Sequence, residues 1–413
     1  MEARTDGIAM SQAAKTDDLV YNPFAYEIHE DPYPTYARMR EEAPVYHNQA
    51  LNFWGLSRFD DVLEGYRDWE SFTSTRGIAL GDAGTGTTPS MIGMDPPNQT
   101  GLRKLAVHAF SPKRVAALEP RIRGLATRFL DGLVEEGECD LIARFAALLP
   151  SDVISTLLGA PPSDHNDLRI WTATLLTRED GQMNLPRAAH EAQANLIGRF
   201  QELIAEKRKR PADDLISALI ATELEGRRLE DLEILGFAML LITGGNETTE
   251  KLIANTVHQL ARHPEQRAQI LSDPARIPDA VEESLRFRSP TQYMARTTTR
   301  DLSLHGRTIP EGEKVMLLIG AANHDPRHFD RPERFDMNRK MDRHLAFGFG
   351  VHFCLGARLA RLEARVALEE IHARLPDYEV DEGGVSVVHA TNVAGLATLP
   401  IRYSPSAPSG AAD

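Results

Sequence analysis

The sequence predicts a mainly α-helical protein that carries small β-sheets. Three observations predict it. Helical patterns of apolar residues dominate from about Gln99 to Leu285. Strand-like segments are short and flank that helical block on both sides. No long linker, internal repeat or low-complexity stretch divides the body of the chain.

The elements follow in order. A helix is expected at about 31–42, then short strands between Val45 and Phe59, where Asn52-Phe53-Trp54-Gly55-Leu56-Ser57 alternates in character. Residues 77–93 are rich in Gly and Thr and read as a long loop. Ser111-Pro112 opens a helix, with Ser as N-cap and Pro in the first position. Leu232 to about Ala261 reads as one long helix. Leu302 to Leu304, Thr308-Ile309 and Val315 to Ile319 read as strands around the turns at Gly306 and Pro310-Glu311-Gly312. A last helix is expected from about Gly356 to Leu375. Residues 1–17 and 404–413 are expected to be disordered tails, because neither stretch can build a core.

Composition narrows the function classes. A chain of 413 residues suggests two or three domains on length alone. The net charge of −14 argues against nucleic-acid binding, which needs a basic footprint. With only two cysteines, Cys139 and Cys354, a disulfide framework is not expected. The polar N-terminus lacks the pattern of a signal peptide. The longest strongly apolar run, Ile234 to Ile242, falls well short of the roughly 20 residues that cross a bilayer. A soluble, cytoplasmic protein without a membrane anchor is therefore expected.

The strongest local signal is Phe347-Gly348-Phe349-Gly350-Val351-His352-Phe353-Cys354-Leu355-Gly356. Glycines let backbone approach a ligand closely. The sequence from Ala357 onward is a good helix, so Cys354 stands at a helix N-terminus, where the dipole favours a thiolate. A buried apolar cysteine in a Gly-rich turn is the plain alternative. A Cys/His hydrolase pair of Cys354 with His352 is another, although a catalytic His normally comes from elsewhere in the chain.

A second signal is Thr243-Gly244-Gly245-Asn246-Glu247-Thr248-Thr249-Glu250 inside the long predicted helix. Each interior glycine costs about 1 kcal/mol relative to alanine, so something should compensate. Either a ligand sits against the backbone there, or another helix packs closely. Glu250 reads as a surface charge. Glu283 and Arg286 lie one turn apart on a helix face, a spacing that by itself usually means a weak surface ion pair.

Phe347, Gly350, His352, Cys354 and Gly356 match the haem-binding signature of the cytochrome P450 family at every defining position. The chain resembles that family over about residues 20–403, with four motifs in the family's order. The resemblance implies a single domain over 18–403 in place of several, shaped as a triangular prism with haem between distal and proximal helices. It implies haem b (iron protoporphyrin IX), with Cys354 as the axial thiolate that favours O–O cleavage. The segment Gly244 to Thr248 resembles the distal-helix motif, with Gly244 where the family usually has Ala, followed by Gly245. Thr248 would then stabilise bound dioxygen, and Glu247 would belong to the proton route. Glu283 and Arg286 resemble the E-x-x-R element, with Arg334 as third member of a buried network. His352, Arg296 and Arg103 are the expected partners of the haem propionates. Gln99 stands where many bacterial members carry His.

The implied reaction is a monooxygenation of a hydrophobic small molecule by O2. Expected pocket walls are Pro89 to Met94, Trp171 to Arg178, Met239 to Gly244, Pro290 to Met294 and Asn392 to Gly395. The sequence shows no dinucleotide motif and no iron–sulfur cysteine cluster. Electrons are therefore expected from a ferredoxin with its reductase, docking on Lys104, Lys113, Arg114, Arg358 and Arg361. A monomer is expected. Two rivals keep the haem: a peroxide-driven peroxygenase, which would lack the acid–Thr pair, and a non-enzymatic haem sensor or carrier, in which Glu247 and Thr248 would be idle.

Overall fold

The computed structural model describes residues 19–81, 89–224, 226–390 and 392–408. The alternation read near Phe53 produces a hairpin of β1 (Val45–Asn48) and β2 (Phe53–Leu56). Helix α1 (Phe59–Arg67) and the short β3 (Phe72–Thr73) follow. The helical block contributes α2 (Asn98–Ala109), α3 (Leu148–Leu158), α4 (His165–Leu176), α5 (Asp231–Gly245), α6 (Glu247–Arg262) and α7 (Ile277–Phe287). After it come β4 (Tyr293–Thr298), β5 (Lys314–Leu318) and α8 (Ala357–Arg374).

The five strands form one sheet in the order β1-β2-β5-β4-β3, antiparallel except for the parallel pair β2 and β5. Side chains alternate across β5: Val315 and Leu317 join one apolar cluster, Met316 and Leu318 another. The sheet is thus buried on both faces. The main core lies among the helices, where Leu149, Ile234, Leu252, Val281 and Leu368 pack together. No helix among the described residues is long and apolar enough to cross a membrane.

The long helix expected over 232–261 is two helices. The chain breaks at Asn246, whose φ of −89° and ψ of −77° are distorted from the usual helical values of about −63° and −42°. Two preceding glycines weaken the helix at that point. Helix α5 opens on a capping box in which Glu230 and Glu233 each accept from the other's backbone N–H. Ser111 precedes a short helix, Pro112–Ala116, but its hydroxyl makes no cap hydrogen bond. Of the expected long loop, residues 82–88 lie outside the described residues, and Met91–Gly93 form one 3-10 turn. The expected tail at 1–17 lies outside them too. Of the tail expected from Ser404, residues 404–408 are described; the Ser406 N–H donates to Val134 O at 2.9 Å.

Candidate functional site

Cys354 is placed by a glycine-shaped loop. Gly348 and Gly350 have φ of +65° and +67°, in the left-handed region. A Cβ on Gly350 would come within 2.8 Å of Tyr66 O, so the loop can lie against the end of α1 only with glycine there. The Cys354 N–H donates back to Phe347 O at 2.9 Å, and α8 begins three residues later. Burial pushes the Cys354 thiol up, while the N–H groups of Gly356 and Ala357 and the cations Arg103 and Arg361 favour the thiolate. A metal cation at the sulfur would complete that set and deprotonate it.

Behind the loop lies a buried ionic network. Arg286 makes two hydrogen bonds to Glu283, at 2.9 and 2.6 Å, and both side chains are fully buried. The third member is Arg339, whose Nε lies 3.2 Å from Glu283 Oε2. The expectation of Arg334 is corrected. Its side chain is 67% exposed, and only its carbonyl takes part, accepting from Arg286 and Arg339. Arg286 also donates to Asn323 O, and Asn323 Oδ1 accepts the N–H of Leu345 at the start of the loop. The network therefore reaches the start of the loop through Asn323.

A cavity of about 250 Å³ separates the α5–α6 break from this loop. Gly244, Gly245, Thr248 and Thr249 line one side; Phe347, Cys354, Gly356 and Glu363 line the other. Met91, Ile92, Leu240, Pro290 and Met294 supply apolar walls. Trp171 to Arg178 and Asn392 to Gly395, also expected as walls, are not among its lining residues. A larger hollow of about 920 Å³ is a charged surface groove near Arg262 and Arg331, away from the cysteine. The two glycines divide the readings left open by the sequence. A Cβ on Gly244 would meet nothing within 4 Å, whereas one on Gly245 would stand 3.2 Å from Ile154 of α3. Gly244 gives room to the cavity; Gly245 serves helix packing.

The Thr248 hydroxyl faces the cavity and donates to Gly244 O at 2.6 Å, across the helix break. Glu247 does not line the cavity; it is buried beside Lys251, 3.7 Å away. Glu250 is buried as well, 5% exposed, which corrects its reading as a surface charge.

The three expected propionate partners meet at one edge of the cavity. Arg296 is 2% exposed, and its guanidinium donates to Ala295 O. Among the described residues no carboxylate forms an ion pair with it. His352 Nε2 lies 3.2 Å from Ser74 Oγ; burial and the Arg296 charge push its pKa down to about 4. Burial and the same guanidinium push Lys314 down to about 8. Arg103 reaches Phe353 O at 2.5 Å. Gln99 instead donates to Val351 O at 2.7 Å, fixing the loop rather than facing a ligand.

A cytochrome P450 family model matches residues 277–388. Putative cytochrome P450 123 of Mycobacterium tuberculosis is 46% identical over 390 residues, covering 93% of this chain and 97% of its own. The chain belongs to the cytochrome P450 family. The vitamin D(3) 25-hydroxylase of Pseudonocardia autotrophica is 40% identical, over 91% of this chain and 94% of that one. The structure of CYP109E1 from Bacillus megaterium with testosterone is 34% identical, with a TM-score of 0.85 over 91% of this chain and 99% of that one.

As a cytochrome P450, the protein is a monooxygenase that binds haem. The residues present fit that group. A buried guanidinium without an ion pair among the described residues and a neutral histidine able to donate a hydrogen bond form an edge suited to two carboxylates. A partly buried thiol with N–H groups directed at it suits an axial position. Sequence reasoning missed two groups in this P450 cavity. Tyr66 lines it with an unpartnered hydroxyl, and burial raises its pKa to about 12. Glu363 lines it with an unpartnered Oε2, and burial raises its pKa to about 8. Helical spacing from Cys354 could have suggested Glu363; nothing local marked Tyr66.

Proposed function

We propose that the protein hydroxylates or epoxidises a hydrophobic small molecule in this cavity, with electrons supplied by a ferredoxin and its reductase. The observation that carries the reading is that Cys354, in its loop, and Thr248, on α6, line one apolar cavity from opposite sides. Cys354 would ligate the haem iron as a thiolate, and Arg103, Arg296 and His352 would hold the propionates. A haem held there would supply the redox chemistry, with one atom of O2 passed to the substrate, the other reduced to water, and two electrons and two protons consumed. The chain's own work is to exclude bulk water and to place protons. The Thr248 hydroxyl turns from Gly244 O to hold water in the cavity, and Glu247 passes protons from behind α6. The walls at Met91, Leu240, Leu241 and Met294 favour an apolar substrate. Vitamin D(3) in a relative's name and testosterone in a solved relative's structure support that class.

For the electron donor, Lys104, Lys113, Arg114 and Arg358 are exposed, as is Phe353 of the loop at 42%. Arg361 leaves the expected patch, since Glu282 accepts two hydrogen bonds from it. Reduction by a ferredoxin should slow steeply between low and high salt; a rate indifferent to salt would remove the basic patch from the reading. The axial ligand is tested by the spectrum of the reduced, carbon monoxide-treated protein. A red-shifted Soret band in wild type that is lost in Cys354→Ser supports it. A histidine-like band in folded wild type overturns it.

A further inference from the structure

Three charged side chains are buried together on α6. Glu247 is 7% exposed, Glu250 5% and Lys251 3%. Helical geometry puts residues 247 and 251 one turn apart on one face, with 250 beside them. Buried charges require partners. The ammonium of Lys251 bonds to Glu250 Oε1 and stands 3.7 Å from Glu247 Oε2. None of the three lines the cavity; Thr248 and Thr249, between them in sequence, do.

The lysine is not free to leave. A Cβ on Gly395 would fall 2.7 to 2.9 Å from Cβ, Cγ and Cδ of Lys251, so the backbone there rests on the stem of the side chain. This contact gives the Asn392 to Gly395 segment a role other than the cavity wall expected of it.

We propose that Lys251 and Glu250 are positioning residues for the Glu247 carboxylate, sharing one ammonium between two acids so that the charge on Glu250 decides how firmly Glu247 is held. The inference rests on the reading of Glu247 as part of the proton route. The charged groups acting on Glu250 are Lys251 and Glu247 of its own helix and Arg169 of α4. Val393, Ala394 and Gly395, of the segment against Lys251, carry no titratable side chain. Burial first, and then the Glu247 charge, raise Glu250 to about 7 against the pull of Lys251. Below that pH, protonated Glu250 leaves the ammonium to Glu247 and ties it down. Above it, ionised Glu250 competes for the ammonium and frees Glu247 to pass protons.

The test is infrared difference titration of the haem-loaded protein across neutral pH, beside steady-state kinetics. The carboxylic C=O band lost in Glu250→Gln identifies Glu250. Its midpoint should drop by about one pH unit in Glu247→Gln, where a like charge is removed. Lys251→Arg should retain a coupled midpoint. In turnover, Glu250→Gln should lower kcat several-fold at alkaline pH with KM little changed, and should abolish the rise of kcat through neutrality. A Glu250 midpoint indifferent to Glu247→Gln, or a wild-type kcat profile in Glu250→Gln, overturns the proposal. The two readings separate cleanly. If Glu247→Gln and Thr248→Ala leave electron use fully coupled to product, the proton route fails even where the band shift is seen. If they uncouple turnover while the midpoint stays fixed, only the shared ammonium fails.

Discussion

On the cysteine side of the cavity, Glu283 accepts hydrogen bonds from Arg286, Arg339 and the N–H of Asp336. On the opposite side, at the α5–α6 break, Asn246 is fully buried and neither polar atom of its side chain has a partner. The Oδ1 of Asn255, two turns further along α6, is also unpartnered. The Glu283 carboxylate fills its hydrogen bonds within the chain, as buried polar groups normally do, while Ser284 Oγ next to it has no partner. The second region leaves donors and acceptors for water to satisfy. The carboxylate behind the cysteine loop is held by completed bonds, whereas the helix break retains unfilled ones.

The sharpest attempt to break this contrast is to open the completed side. Glu283→Ala should lower stability by about 3–5 kcal/mol, because buried Arg286 and Arg339 lose their shared partner, and Arg339→Ala by less, since Glu283 keeps Arg286. Urea midpoints and haem retention would show it. Arg334→Ala, which removes an exposed side chain, should stay within about 0.5 kcal/mol. Equal losses at 334 and 339 would refute the assignment of the third member.

A smaller effect should come from Glu363, which belongs to the unfilled class although it sits on α8. Its folded-state pKa, about 8, lies above the ordinary carboxylate value. The native state therefore binds the extra proton through the window from roughly pH 4.3 to 8. Stability should fall as pH rises through that window, by an amount on the order of a few kcal/mol. Glu363→Gln should flatten the fall, read as urea midpoints of the haem-loaded protein at acid and alkaline pH. An unchanged slope would show that water already satisfies this carboxyl.

The glycines give the smallest effect. Gly244→Ala should stabilise by about 0.5–1 kcal/mol, through helix propensity, while narrowing the cavity. Gly245→Ala should gain less or lose, since Ile154 must give way. Thermal unfolding and substrate-binding spectra would separate the two.

The completed side was also the more legible in sequence. The Cys354 loop is a local arrangement, and its glycines reveal a close approach before any partner is known. Even there the third basic residue was misread, because Arg334 and Arg339 lie in an irregular stretch whose side-chain directions no periodicity reports. On the other side, polar residue types concealed burial. Glu250 and Lys251 look like a solvated face, yet α6 is covered all round and both are inside. The break at Asn246 was masked by apolar spacing that continues in phase on either side. Tyr66 reaches the cavity only because the sheet folds α1 against the loop, a long-range fact absent from any window of sequence.

The placing of Arg296 beside Lys314, with a charge on His352 suppressed between them and the loop, has a consequence for the life of the chain before it is loaded. Positive groups gathered under cover repel one another, so this corner of the empty protein works against its own closure. An anionic prosthetic group is then a counter-ion as well as a reagent carrier. Its binding adds to folding stability by mass action, in proportion to the logarithm of its free concentration. Where iron porphyrin is scarce, the yield of intact protein should follow porphyrin supply more closely than the rate of translation.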